Sequence, residues 1–249
     1  MKNFFALTAV CVCFYALGFA QDAVNGGGKN PGEIRLRINE IINLGNKFAE
    51  GSKGRQDIKG KEAAVRKLSE DIKDPDPRIR RVSARALKKI DPPAAYKAAE
   101  EAVLAEADRG VKTEYIRILS GRSTRQIGEI LVKLAADPDP VIRAESIYAL
   151  GKLNREETFE AVKNALDDEA EGVRVSACDA AANLKIGGLS ERITDLLADQ
   201  NADVRLSAAK ALEAVPPANG REKIAEYLKK EKEAEVSAVL RNILDKIND

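Results

Sequence analysis

From Ile79 onwards the chain sets apolar residues in the same relative positions again and again. Ile79, Val111, Ile142, Val173 and Val204 are each followed at once by a basic residue, namely Arg80, Lys112, Arg143, Arg174 and Arg205, and Val236-Ser237 is a degraded sixth copy. The intervals between them are 32, 31, 31, 31 and 32 residues. Small or apolar residues follow four, five, seven and eight positions later, as Ser146, Ile147, Ala149 and Leu150 after Ile142, or Ala208, Ala209, Ala211 and Leu212 after Val204. That spacing lays one apolar stripe along a helix. A second helical pattern precedes each copy, as in QIGEILVKLAAD and LSERITDLLADQ. Each period therefore predicts one helical hairpin, and a period this constant predicts a repeat architecture.

The punctuation between the two helices agrees. DPDPRIRRVSARAL begins at Asp74 and DPDPVIRAESIYAL at Asp137. Proline fits the first turn of a helix, and aspartate accepts bonds from its unpaired amides while favouring its positive end. An earlier copy is visible in LRINEIINLG, where Leu36-Arg37 leads to Leu44-Gly45 as Ile142-Arg143 leads to Leu150-Gly151. It stands 43 residues before Ile79, and the excess over one period is a polar, Gly-containing insertion at about 47–60. At the other end, the position held by Ala84, Ile116, Ile147, Cys178 and Ala209 is taken by Arg241. A charge there predicts a terminal capping hairpin, at about 220–249.

The recurrent V-R-x-S-A-x-x-A-L phrase and its Asp-rich approach resemble the HEAT repeat of the armadillo-type solenoids, in the short variety of the phycobilin-lyase-type proteins. The resemblance runs over residues 33–249. It implies an all-α, right-handed α-solenoid of stacked antiparallel hairpins whose second helices line a concave surface. It also implies a protein-binding scaffold, with a lyase-like protein handling a small molecule or chromophore as the alternative. A further resemblance, to the repeat enzyme deoxyhypusine hydroxylase, fails on chemistry. That enzyme's di-iron site needs His-Glu pairs, and this chain has no histidine.

The lack of His also removes Ser-His-Asp and Cys-His catalysis and the commonest metal ligand. Neither a cofactor nor a metal is expected, and the chain is read as a non-enzyme. Aromatic residues make up only 4% of it, which leaves little to line a pigment pocket. The first twenty residues, MKNFFALTAVCVCFYALGFA, join Lys2 to an uncharged apolar run and end in Gly18 and Ala20. This is the layout of a secretory signal peptide cleaved after Ala20, which predicts a periplasmic or secreted protein. The alternative is a membrane anchor formed by the same segment. Cleavage would leave 40 basic and 40 acidic residues, a balance that argues against nucleic acid as a partner. It would also remove Cys11 and Cys13, so that no disulfide could form within the chain. Residues 21–32, with Gly26, Gly27, Gly28, Pro31 and Gly32, read as a flexible lead-in.

Two sets of side chains stand out. Arg80, Arg143, Arg174 and Arg205 recur in every clear repeat, which a single active site would not require. They read as a structural ladder, with Asp139 and Asp203 as nearby acids. Six positions after each repeat's leading apolar residue the chain reads Arg85, Arg117, Tyr148, Asp179 and Lys210, and three positions after it includes Glu114 and Glu145. Varied residues at a fixed solvated position are candidates for a concave row that binds a protein or peptide. Basic residues gather early, at Arg81, Arg85, Lys88, Lys89, Arg117, Arg122 and Arg125, and suit an acidic partner at the N-terminal repeats.

Overall fold

The structure is a computed structural model that describes residues 30–246 except 50, 156–157 and 219. The export segment, Cys11, Cys13 and the lead-in up to residue 29 lie outside the described residues. Thirteen α-helices and no strand occur among those described: α1 Pro31–Phe48, α2 Ile58–Asp71, α3 Pro77–Ile90, α4 Pro92–Ala102, α5 Arg109–Leu119, α6 Arg125–Leu134, α7 Pro140–Leu153, α8 Phe159–Ala165, α9 Glu171–Leu184, α10 Ser190–Asp195, α11 Ala202–Ala214, α12 Arg221–Lys230 and α13 Ala234–Lys246. They form two compact units, Met1–Ile90 and Asp91–Asp249.

The first unit holds α1 and the hairpin α2/α3. Helix α1 starts inside the expected lead-in, because Pro31 suits the first helical position and the Asn30 side chain accepts from the Gly32 amide at 3.0 Å. The insertion is also shorter than the spacing suggested. It folds into a 3-10 turn, Lys53–Gln56, and Asp57 then caps α2 by accepting from the Gly60 amide at 2.9 Å.

Helix α1 aligns with the second helices of the later repeats, and no first helix precedes it among the described residues. The leading apolar residue is at most 1% exposed at Ile79, Val111, Ile142, Val173 and Val204, yet its counterpart Leu36 is 67% exposed. The positions of Ser146, Ala149 and Leu153, buried in α7, become Glu40, Asn43 and Lys47 in α1, all exposed. The opposite side is apolar and lies against α3, where Gly45 meets Ala86.

The second unit contains five hairpins: α4/α5, α6/α7, α8/α9, α10/α11 and α12/α13. Second helices pack on the second helices that follow them, α5 on α7, α7 on α9, α9 on α11 and α11 on α13. Their apolar stripes bury Ile142, Ile147 and Leu150, then Val173, Cys178 and Ala181, then Val204, Ala209 and Leu212. The expected small-apolar role of Cys178 holds: it is fully buried, and that burial pushes its thiol up to about 12. The expected LSERITDLLADQ helix is broken. It runs as a 3-10 turn at Gly187–Leu189, α10, and a second 3-10 turn at Leu196–Ala198. The Thr194 hydroxyl donates to the Ser190 carbonyl at 2.7 Å, a competing bond of the kind that loosens a helix. The α12/α13 hairpin occupies the place read as the cap, and Arg241 is exposed on it.

Candidate binding face

The loops between the two helices of each repeat carry the ladder. Arg143 donates from one guanidinium nitrogen to the carbonyls of Asp137 and Pro138 at 3.1 and 3.2 Å, within its own loop. Its other two nitrogens each reach a carboxylate oxygen of Asp168 at 2.8 Å, in the loop of the next repeat. Arg174 repeats the pattern on the Asp168 and Glu169 carbonyls, at 2.8 and 3.0 Å, and on Asp199, at 2.8 and 3.0 Å. Arg205 does so on the Asp199 and Gln200 carbonyls and on Glu231, again at 2.8 and 3.0 Å to the carboxylate. In the first unit Arg80 donates to the Asp74 and Pro75 carbonyls, and Arg37 grips Asp71 at 2.6 and 2.8 Å. In α5 the position is lysine, and Lys112 makes a single bond to Asp137 at 3.0 Å.

Arg143, Arg174 and Arg205 thus each bridge two successive loops, and their acids differ from the expected ones. Asp139 caps α7 through the Val141 amide at 2.9 Å and takes Arg109, while Arg143 passes it by. Arg205 likewise passes Asp203 for Glu231. A planar fork needs a carboxylate in line with it, and the residue one repeat on supplies that geometry. The signal was present as a fixed offset: 25 residues separate Arg143 from Asp168, Arg174 from Asp199 and Lys112 from Asp137. Each such Asp also accepts an amide of its own loop, as Asp168 from Ala170 and Asp199 from Asn201, both at 2.9 Å.

These bonds set the ionisation of the ladder. Burial lifts the Asp168 and Asp199 carboxyls, but the arginine, the loop amide and the neighbouring positive charges outweigh it and hold both below the usual carboxylate range. For Glu231 the bonds from Arg205 are the largest influence, and it too is held low.

The row lies on the other side of the second helices. Arg85, Arg117, Tyr148 and Lys210 are exposed, and Asp179 and Glu145 are half-buried. Glu114 is a correction. It is only 8% exposed, because burial in α5 runs unbroken from Thr113 to Ile116 instead of following a one-sided stripe. Arg117 pairs with Glu145 at 2.5 Å, and Lys210 with Glu235 at 3.2 Å. Tyr148, 42% exposed, has the Lys152 ammonium 4.3 Å from its ring centroid. Sequence reasoning missed Lys152, which stands one turn beyond Tyr148, and Ile42, an exposed apolar residue at the row position of α1.

Elsewhere the second unit has an open groove of about 500 Å³ lined by Phe159, Lys163, Ile186, Leu189 and Arg192. Its cations are already paired, Lys163 with Glu160 and Arg192 with Asp167. Among the described residues no group of Cys, Asp and Glu is placed to hold a metal ion, and no helix is long and apolar enough to cross a membrane.

A family model described as HEAT repeats matches residues 100–182 and 128–213. The chain is similar in structure to the archaeal HEAT-like repeats protein from Thermococcus onnurineus NA1, with a TM-score of 0.57, 16% identity, and coverage of 90% of this chain and 98% of that one. It is similar to the complex of CpcE and CpcF of phycocyanin lyase from Nostoc sp. PCC7120, with a TM-score of 0.53, 15% identity, and coverage of 74% and 94%. An engineered protein gives a TM-score of 0.50 at 22% identity over 84% of this chain and 97% of its own. At such identities these likenesses speak to the fold alone. No curated protein matches the chain in sequence.

Proposed function

Starting from a chain built of HEAT repeats, with the fold of the HEAT and armadillo solenoids, we propose that it is an exported, non-catalytic scaffold. It binds a protein or peptide partner along the polar row of its second helices, the side expected to be concave. The observation that carries this reading is a division of labour within the repeat. Arg143, Arg174 and Arg205 are each engaged between two successive loops and the second helices bury small and apolar residues, whereas the row presents Arg117, Tyr148, Asp179 and Lys210 at one fixed position. A rigid surface of varied side chains at regular intervals lowers the ordering cost of binding an extended partner. Tyr148 suits an anchor on such a surface, being aromatic and amphipathic.

The scaffold is tested by placing a photo-crosslinking amino acid at Tyr148 or at Lys163 in the native cell. One discrete protein captured from Tyr148 and not from Lys163 is the expected result. No capture, or the same products from both positions, would leave the row as ordinary solvated surface and favour the small-molecule or lyase-like reading. Export is tested by N-terminal sequencing of the protein recovered from the producing cell. The expected first residue is Gln21, and a chain that keeps Met1 in the membrane fraction would instead make residues 1–20 an anchor.

A further inference from the structure

One contact of the row defines a register between successive second helices, and one member of the row has no partner among the described residues. In the pair Arg117–Glu145, the residue six positions into one second helix meets the residue three positions into the next. Carried forward, the same register sets Tyr148 opposite Ser176 and Asp179 opposite Ser207, so that small hydroxyl residues stand where Glu145 stands. Lys210 turns to Glu235, and Asn242, next in the row, donates to Glu213 at 2.7 Å. Asp179 makes no hydrogen bond or ion pair with any described residue. It is half-buried, and burial lifts its carboxyl while the charge of Lys210 pulls the other way from beyond ion-pair reach.

A half-buried carboxylate with no donor is costly, and neutral donors relieve its hydrogen-bonding need without relieving its charge. At the same position one repeat earlier, the Tyr148 ring is exposed and already attracts an ammonium, that of Lys152. Resting on the reading of the row as a binding face, we infer that Tyr148 and Asp179 form its reading position for a lysine or arginine of an extended partner segment. The alkyl stem of that side chain lies on the Tyr148 ring and its cationic head meets the Asp179 carboxylate, in the space left by Ser176 and Ser207. The flanking steps of the row are closed by their own ion pairs, which confines charge recognition to this one step.

The experiment is selection of random displayed dodecapeptides on the immobilised full chain, on Asp179→Asn, on Tyr148→Ala and on Asp203→Asn, an exposed acid off the row. The expected outcome is enrichment of Lys or Arg at one fixed position on the full chain and on Asp203→Asn. Asp179→Asn should lose that enrichment and bind the selected peptides about tenfold more weakly, the scale of one charge-assisted hydrogen bond. Asp179→Asn should melt no lower than the parent chain, which separates lost recognition from lost folding. Peptides that depend on Tyr148 but show no basic position, or an acidic one, would overturn the inference and leave the binding face standing. Peptides indifferent to both residues, or none at all, would overturn the inference and the binding face together.

Discussion

Replacing Arg174 with alanine is expected to cost about 3–5 kcal/mol of stability, the usual penalty for stripping one partner from a buried ion pair. The two side chains are only 17% and 9% exposed, and Arg174 holds four oxygens in two successive loops. Its removal strands the Asp199 carboxylate and the Asp168 and Glu169 carbonyls together. Arg174→Lys should fall between the two, because an ammonium keeps the charge but not the fork. The repeat of α5, which uses Lys112 with one bond to Asp137, shows the arrangement that variant would adopt. Urea unfolding of the three proteins measures the order. A loss below about 1 kcal/mol for Arg174→Ala, the level of an exposed ion pair, would show that the ladder is ornamental to the stack.

The same rungs fix the response to acid. Asp168, Asp199 and Glu231 all titrate below their ordinary range in the folded chain. An acid with a depressed folded pKa contributes stability that is complete above its unfolded value, about 3.9 for Asp and 4.3 for Glu, and that is lost as pH falls through the folded value. The urea midpoint should therefore be flat from neutrality to about pH 5 and drop below about pH 4. In Arg174→Ala that drop should shrink, since Asp199 no longer gains from its arginine.

Much of this architecture was legible because the repeat writes local rules in local residues. The leading Val-Arg, the small residues at four, five, seven and eight, and the Asp-Pro starts each act within one helix or one loop, so the sequence pattern and the helices coincide. Contacts between repeats were harder to read. The acid expected for Arg143 is Asp139, four residues before it, but an aspartate at a helix start is already spoken for by the amides of its own helix, and the ladder closes on Asp168 one repeat later. Burial of Glu114 and the broken helix at 187–198 depend on packing that no single period encodes. The isolation of Asp179 is of the same kind, for it turns on Ser207, one repeat on, standing where Glu145 stands for Arg117.

Gly151 marks the tightest of these contacts between repeats, and it sets up a pair of substitutions with opposite signs. A Cβ at Gly151 would lie 2.7 Å from the Ala180 Cα and 2.8 Å from its Cβ, and the obstacle is backbone of the neighbouring helix α9, which cannot swing aside. A Cβ at Gly172, near the start of α9, would meet nothing within 4 Å. In a helix, Gly→Ala gains about 0.5–1 kcal/mol from the reduced freedom of the unfolded chain when space allows. Gly172→Ala should realise that gain. Gly151→Ala should forfeit it by forcing α7 and α9 apart, for a net loss of about 1–3 kcal/mol, and Gly151→Val should lose more, since two further carbons would press on the same backbone. Gly45 faces the corresponding Ala86 in the first unit at 3.0 Å to its Cβ and 3.3 Å to its Cα, so Gly45→Ala should cost less than Gly151→Ala. Urea midpoints for the four variants rank them directly. Equal gains at positions 151 and 172 would mean that the second helices are free to separate, and that close approach of α7 to α9 is not what holds the row in register.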